Sequence, residues 1–266
     1  MIPYTKKETL LKAQDVHLEY DGKKILRDIS FEIKNISRTD CLQGQVISLI
    51  GRSGVGKTQL FRILSGMNKP TSGEIHINAD QRHVEPGDMG IVPQNYYLFE
   101  WRKIQKILEM SVAKNPHVTP KDRKDVINQY VSDFSLSECL DKYPMQLSGG
   151  QRQRVSLIQQ LINGSNFILL DEPFSGLDVI SIKQVTDVLV KVSLSDEVKT
   201  LIIVSHDLSN SLAISDCAYI LAKEAGKEGA TITATVDLIE RDLAWHPDIK
   251  RTVEFQKTVA EIEKLI

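Results

Sequence analysis

No stretch of this sequence approaches the roughly 18 consecutive apolar residues that a spanning helix needs, so the chain is not expected to enter a bilayer by itself. Its first ten residues, MIPYTKKETL, also lack the apolar run of a secretory signal. Cysteine is scarce. Cys41, Cys139 and Cys217 are odd in number, far apart and without C-x-x-C spacing, so neither a disulfide framework nor a zinc site is suggested, and a reducing cytosolic compartment fits best. Charge of one sign is missing too: 33 Lys and Arg stand against 35 Asp and Glu, a formal net charge of -2. That balance leaves no global basic field to recruit nucleic acid or an anionic membrane, and any such contact must be local. Internal repeats and low-complexity tracts are absent as well. What is present is an ordinary globular composition, 41% hydrophobic and 26% charged over 266 residues, enough for one large α/β domain or one domain with an appendage.

The chain opens with a β-pattern. Leu18, Tyr20, Ile25, Leu26, Ile29, Phe31 and Ile33 fall in a largely alternating pattern around Asp21-Gly22, which reads as an antiparallel hairpin within residues 10–33. A short apolar run at 45–50 ends in glycine and is followed by helical spacing over 59–66, giving strand, glycine-rich loop and helix. Further strands are expected at 73–78 and 90–92, and helices at 103–113 and 121–134. The runs at 167–170 and 200–205 are too continuously apolar for a half-exposed sheet and read as buried parallel strands, with 180–192 as the crossover helix. The tail turns through Trp245-His246-Pro247 into an amphipathic helix near 248–266, where Phe255, Val259, Ile262 and Ile266 form one apolar stripe suited to packing on the domain.

Gly51-Arg52-Ser53-Gly54-Val55-Gly56-Lys57-Thr58 matches G-x-x-x-x-G-K-[ST] between a strand and a helix. In that setting the glycines let successive amides converge on a phosphate, which also gains the positive end of the helix dipole. Lys57 is expected on the β/γ-phosphates, Thr58 offers a hydroxyl to Mg²⁺, and Gln59 continues the nucleotide-binding set. Asp171 and Glu172 end the apolar strand Phe167-Ile168-Leu169-Leu170, at the carboxyl edge where open α/β sheets bind ligands. Asp171 is expected to hold Mg²⁺ and Glu172 to orient or deprotonate the attacking water. His206, Gln94 and Tyr20 are weaker signals: taken singly, a histidine after a strand is more often structural, and a tyrosine at a strand end more often packs than stacks on adenine.

Leu147-Ser148-Gly149-Gly150-Gln151 is a sequence that phosphate-loop proteins in general do not have, and here the chain resembles the ABC ATPase family. The ordered elements are Tyr20, the loop at 51–58, Gln94, LSGGQ, Leu169-Leu170-Asp171-Glu172-Pro173, Ser175-Gly176-Leu177-Asp178 and His206-Asp207. The resemblance covers roughly residues 10–223. It implies an α/β fold of the P-loop NTPase class in its ABC form: an N-terminal antiparallel β-subdomain, a mostly parallel core sheet flanked by helices, and a helical signature subdomain. The ATPase domain would occupy residues 1–239, with the helical insert at about 95–160, and a helical tail 240–266.

The resemblance also implies roles. Tyr20 stacks on adenine, Gln94 senses Mg²⁺ and the attacking water, and His206 holds the γ-phosphate. Ser148, Gly149, Gly150 and Gln151 complete the ATP site of a second copy in a head-to-tail dimer, and Asp178 helps to join the halves. Two departures from the family pattern stand out. Residues 34–43, Lys-Asn-Ile-Ser-Arg-Thr-Asp-Cys-Leu-Gln, replace a much shorter turn and read as an inserted surface loop, and Gln159 stands where arginine is common.

The expected function is the ATP-hydrolysing, energy-coupling subunit of a membrane transporter, an importer rather than an exporter. It would sit peripherally on the cytoplasmic face of the cell membrane, with separate transmembrane permease subunits and a solute-binding protein as a further candidate partner. The residues after Gln94 and the segment 242–248 resemble ATPases of nitrate, sulfonate or taurine uptake. The alternatives are a soluble ABC ATPase of DNA repair, cofactor assembly or translation, and an ATP-dependent interaction switch. One phosphate loop, no cysteine cluster and no basic arm argue against nucleic acid. Glu172 and His206 argue against the switch.

Overall fold

Two long antiparallel strands, β1 (Tyr4–Tyr20) and β2 (Lys23–Arg38), are joined at Asp21-Gly22. Both turn residues have positive φ, 51° and 76°, the conformation that a two-residue hairpin loop requires and that Asp-Gly supplies. The computed structural model describes residues 4–39, 43–78, 80–194, 196–246 and 248–266. After the hairpin come β3 (Gln45–Ile50), α1 (Lys57–Leu64), β4 (Ser72–Ile77), β5 (Arg82–His83), β6 (Met89–Val92), α2 (Ile104–Val112), α3 (Arg123–Asp133), α4 (Gly149–Leu161) and β7 (Phe167–Asp171). The chain finishes with α5 (Val179–Ser193), β8 (Thr200–Ser205), α6 (Leu208–Leu212), β9 (Cys217–Lys223), β10 (Ala230–Asp237) and α7 (Val253–Glu263).

Among the described residues the strands form one sheet in the order β5-β4-β1-β2-β10-β9-β3-β8-β7-β6. β3, β8, β7 and β6 pair in parallel, with Ile47 opposite Ile202 and Leu169 opposite Ile202. All six residues of β3 and all six of β8 are buried, as expected of parallel strands covered on both faces. Alternate residues serve opposite layers. Val46, Ile168, Leu170, Leu201 and Ile203 face the helical layer of α2–α5, whereas Ile47, Leu49, Leu169, Ile202 and Val204 face α1 and the antiparallel strands. The helical insert and the phosphate-loop helix thus lie on opposite sides of one sheet.

The segment 34–43 is not a surface loop over its first half. β2 runs on to Arg38, paired with the opening residues of β1 as Tyr4 with Arg38 and Lys6 with Ile36. The reason is burial: Asn35, Ile36 and Arg38 are enclosed. The Arg38 guanidinium pairs with Asp216, which is fully buried. The same carboxylate accepts from the Val46 amide at 2.8 Å and the Trp245 indole at 2.7 Å. Burial pushes the Asp216 carboxyl upward, opposed by Arg38, the Val46 amide and Trp245. One carboxylate therefore ties β2, β3, the entry to β9 and the tail together. Asp40, Cys41 and Leu42 lie outside the described residues.

The tail helix, α7, is shorter than the expected 248–266 and starts at Val253, just before the apolar stripe. A 3-10 turn spans Ile249–Arg251 and Thr252 caps α7, its hydroxyl accepting from the Phe255 amide. Pro247 is outside the described residues. Phe255 and Ile262 are buried, with Val259 and Ile266 partly buried beside them, against Leu208, Leu212 and Ile220.

Removing one member of a buried, hydrogen-bonded ion pair strands the other charge. Arg38→Ala is expected to cost roughly 3–5 kcal/mol, read as a loss of chemical-denaturation stability, while Arg38→Met with Asp216→Asn, which removes both charges and keeps an acceptor oxygen for the buried donors, should cost less. A single variant as stable as wild type would refute the structural role of the pair.

Candidate functional site

The parallel pairing of β3, β8, β7 and β6 places their carboxyl ends along one sheet edge, so four loops open there together. Gly51 follows β3, Gln94 follows β6 by two residues, Asp171 ends β7 with Glu172 next, and His206 follows β8. A cavity of about 470 Å³ lies above this edge, lined by Tyr20, Ile25, Ser53, Gly54, Gly56, Lys57, Thr58, Gln59, Gln94, Asp171, Glu172 and His206.

The loop before α1 is shaped by glycine. Gly54 and Gly56 have φ of 77° and 117°, conformations that cost a side-chain-bearing residue steric strain. They turn the chain so that α1 begins with its unsatisfied amides and positive dipole end directed into the loop. No acidic side chain stands in the first turn of α1 to answer that charge. Lys57 is buried at 7% exposure and donates to the Gly51 and Arg52 carbonyls at 2.8 and 3.2 Å.

Glu172 is the centre of the charge arrangement. Its backbone has φ of 51°, an uncommon state for a non-glycine residue. It is held there by its amide donating to the Val204 carbonyl at 2.8 Å and by its carbonyl accepting from the Ser175 amide at 3.1 Å. The carboxylate lies 3.5 Å from Lys57 Nζ and 2.8 Å from His206 Nδ1, and accepts from the Ser205 hydroxyl at 3.1 Å and the His206 amide at 3.3 Å. Asp171, the residue before it, has no comparable donors among the described residues. Burial first, then the neighbouring Glu172, raises its carboxyl above the ordinary range, with Lys57 and Arg62 opposing. Thr58, Gln94 and Asp171 present a hydroxyl, an amide and a carboxylate to one cavity. This oxygen-donor set, with an underneutralised carboxylate, fits a hard divalent cation such as Mg²⁺.

At the cavity mouth Tyr20 is 45% exposed, its hydroxyl bonded to Gln59 and Asn68 at 3.4 and 3.2 Å, so that a ring is available to a planar ligand. Gln94 donates to the Ser175 hydroxyl at 3.3 Å. Gly51, Arg52 and Val55 belong to the same loop but do not line the cavity; Val55 is buried in the core. Ser148, Gly149, Gly150 and Gln151 are not brought to it either. They start α4, where Ser148 accepts from the Gln151 amide at 3.3 Å and Gln151 accepts from the Ser148 amide at 3.0 Å, a capping box. Asp178 is likewise outside and caps α5 through the Ile180 and Ser181 amides, both at 2.9 Å. Ser205, Ser175 and Ile25 are participants that residue type alone did not single out; only the position of Ser205 at the strand end, beside His206, pointed to it.

The ABC transporter family model matches residues 33–175, more than half of the chain. A taurine import ATP-binding protein of Pelagibacter ubique is 30% identical over 244 residues, 91% of this chain and 87% of that protein. A nitrate import ATP-binding protein of Synechocystis is 29% identical over 262 residues, 96% of this chain and 94% of that one. A bicarbonate transport ATP-binding protein of Synechococcus elongatus is 32% identical over 204 residues, and the chain spans only 29% of its length. Among solved structures, cbiO1 of Clostridium perfringens, described as part of an ABC transporter complex, superposes with a TM-score of 0.74 at 22% identity, covering 97% of this chain and all of that one. A dimeric, post-hydrolysis ATP-binding cassette bound to ADP and Pi superposes at 0.70 and 23% identity, covering 86% of this chain and 99% of that one. These superpositions share the fold described above.

Asp171 is a carboxyl whose pKa is raised in the folded state, so at pH 7 the folded protein carries a charge that the unfolded chain solvates better. Asp171→Asn is expected to raise the ligand-free melting temperature at pH 7, with the gain shrinking as the pH falls and Asp171 protonates. Thermal denaturation of both proteins across pH checks this, and an equal or lower melting temperature for the variant at pH 7 would contradict it.

Proposed function

The chain belongs to the ABC transporter family, and from that premise we propose that it binds and hydrolyses ATP as the energy-coupling subunit of a multi-protein importer. The observation that carries the reading is the Glu172 carboxylate, poised between Lys57 and His206 beside the glycine loop. The loop amides and the α1 dipole receive the phosphates, and Tyr20 stacks on the base. A phosphate entering this loop competes with Glu172 for Lys57. Once that ion pair is exchanged for a lysine–phosphate pair, Glu172 keeps Ser205 and His206 as orienting donors and is free to accept a proton from water. His206 then faces the γ-phosphate. Thr58, Gln94 and Asp171 would hold Mg²⁺, which when bound would supply positive charge to the phosphates.

Ser148 and Gln151 head a helix outside this cavity, an arrangement that supports their use by a second copy of the chain. Val179 and Ile180, beside Asp178, are 83% and 73% exposed, which suits a contact between copies. Tyr97, Trp101 and Met145 are exposed on the segment after Gln94 and just before the signature. Glu100 pairs with Arg152 of α4, so a partner seated on these aromatics is linked to both loops. No helix among the described residues is long and apolar enough to cross a membrane. In this reading the transmembrane path belongs to separate subunits, and the chain acts peripherally on the cytoplasmic face. The relatives' names, taurine, nitrate and bicarbonate, favour import of a small polar solute.

Glu172→Gln is expected to lower turnover by about a hundredfold or more while leaving ATP binding intact and accumulating a dimer in ATP. Phosphate release, equilibrium nucleotide binding and gel filtration separate these effects. Purification of the tagged variant from detergent-solubilised membranes in ATP should recover a multi-span protein. Recovery with soluble or nucleic-acid partners alone would overturn the transporter assignment, and undiminished turnover would overturn the role of Glu172.

A further inference from the structure

β4 and β5 form one edge of the sheet, separated in strand order by β1, β2, β10 and β9 from the parallel strands that carry the phosphate loop and Glu172. Ile75 and Ile77 of β4 are buried in the core, so by the period of two Glu74 and His76 stand together on the opposite face. His83 is the direct cross-strand partner of His76, which puts its imidazole on that same face. The two rings are 4.6 Å apart between centroids, and His76 Nε2 lies 3.2 Å from Glu74 Oε2. One ligand atom from each of the three residues lies within 4.8 Å of the others. None of the three lines the nucleotide cavity or enters the ATPase reading.

We propose that Glu74, His76 and His83 form a binding site for a divalent transition-metal ion of the zinc type. Two imidazole nitrogens and one carboxylate are the donor mixture that zinc and its neighbours accept in tetrahedral sites, whereas Mg²⁺ and Ca²⁺ prefer oxygen alone. Three protein ligands leave the fourth position to water. Zinc–nitrogen bonds of about 2.0–2.1 Å in a tetrahedral arrangement bring donor atoms closer than the present spread, so the ligands must draw inward, a movement open to the exposed side chains of Glu74 and His83. The placement also gives the ion a structural consequence. β5 has two residues, and Ile77–Arg82 and His76–His83 are its register pairs to β4. An ion bridging His76 and His83 would staple this short edge strand to its neighbour. The ion is distinct from the Mg²⁺ of the nucleotide site, since it would be held by nitrogen ligands and needs no phosphate.

The test uses the full chain, freed of metal by a chelator and kept without nucleotide. Isothermal titration with Zn²⁺ is expected to give one ion per chain, and Co²⁺ should develop the visible d–d bands of a low-symmetry nitrogen-ligated site. His76→Ala and His83→Asn should each weaken binding by about tenfold or more and abolish the Co²⁺ bands; the asparagine keeps a similar polar bulk if alanine unsettles the hairpin. Zn²⁺ at a concentration that just saturates the wild type should raise its melting temperature by about 5 °C and move both variants markedly less, and millimolar Mg²⁺ should not compete. Absence of stoichiometric binding, or equal binding by wild type and both variants, would overturn the site. Either result leaves the ATPase reading untouched, since nucleotide turnover is not part of the measurement.

Discussion

Parallel pairing of β3, β8, β7 and β6 is the constraint from which the site follows. Strands that run the same way must return by crossovers, and the crossovers cover both faces of the sheet. Their residues must then be apolar on both sides, which is why β3 and β8 are buried at every position. With the strand faces closed to polar chemistry, charged and phosphate-binding residues are left the carboxyl edge, where four chain segments emerge within reach of one another. Glu172 shows the cost of this arrangement. The chain must turn sharply out of β7, and it does so with a glutamate at φ 51°, a state that persists because Val204 and Ser175 bond its backbone on both sides.

Away from that edge, the Asp216 carboxylate is fully buried. A buried charge is tolerable only with its hydrogen bonds filled, and Asp216 draws them from Arg38, Val46 and Trp245. Those three partners belong to the hairpin, the first parallel strand and the tail. The antiparallel subdomain and the tail are thereby held to the strand that leads into the phosphate loop by a specific polar contact as well as by apolar packing.

Much of this was legible in the sequence because it was carried by local signals. Asp21-Gly22 marked the hairpin turn, continuous apolar runs marked β7 and β8, and the glycine–lysine loop announced itself between strand and helix. The extension of β2 through Arg38 was not legible. Lys34, Asn35, Ser37 and Arg38 look like a polar loop until the partner is known, and Asp216 lies 178 residues away. Ser205 and Ser175 escaped for a related reason: their work is to bond Glu172 and Gln94, and serine carries no spacing signal for such a task. Glu74, His76 and His83 are also scattered in sequence. Only the cross-strand register of a two-residue strand brings the third to the other two.

Lys57 and Glu172 connect the resting geometry to the proposed work. In the structure the lysine's donors are directed at Gly51, Arg52 and Glu172, so the isolated domain neutralises its own cation with its own base. A nucleotide phosphate is the stronger partner for Lys57, since it adds the loop amides and the helix dipole to the same attraction. In the proposed reaction Glu172 would therefore be released as a base only when a phosphate is in place. The LSGGQ helix start lies outside the cavity, so under the proposed function it would serve the phosphate held by another copy of the chain. In the proposed function, coupling would follow from this division: one domain alone would load ATP, its phosphate would be fully enclosed only when two chains close, and that closure would be the motion available to drive a membrane partner.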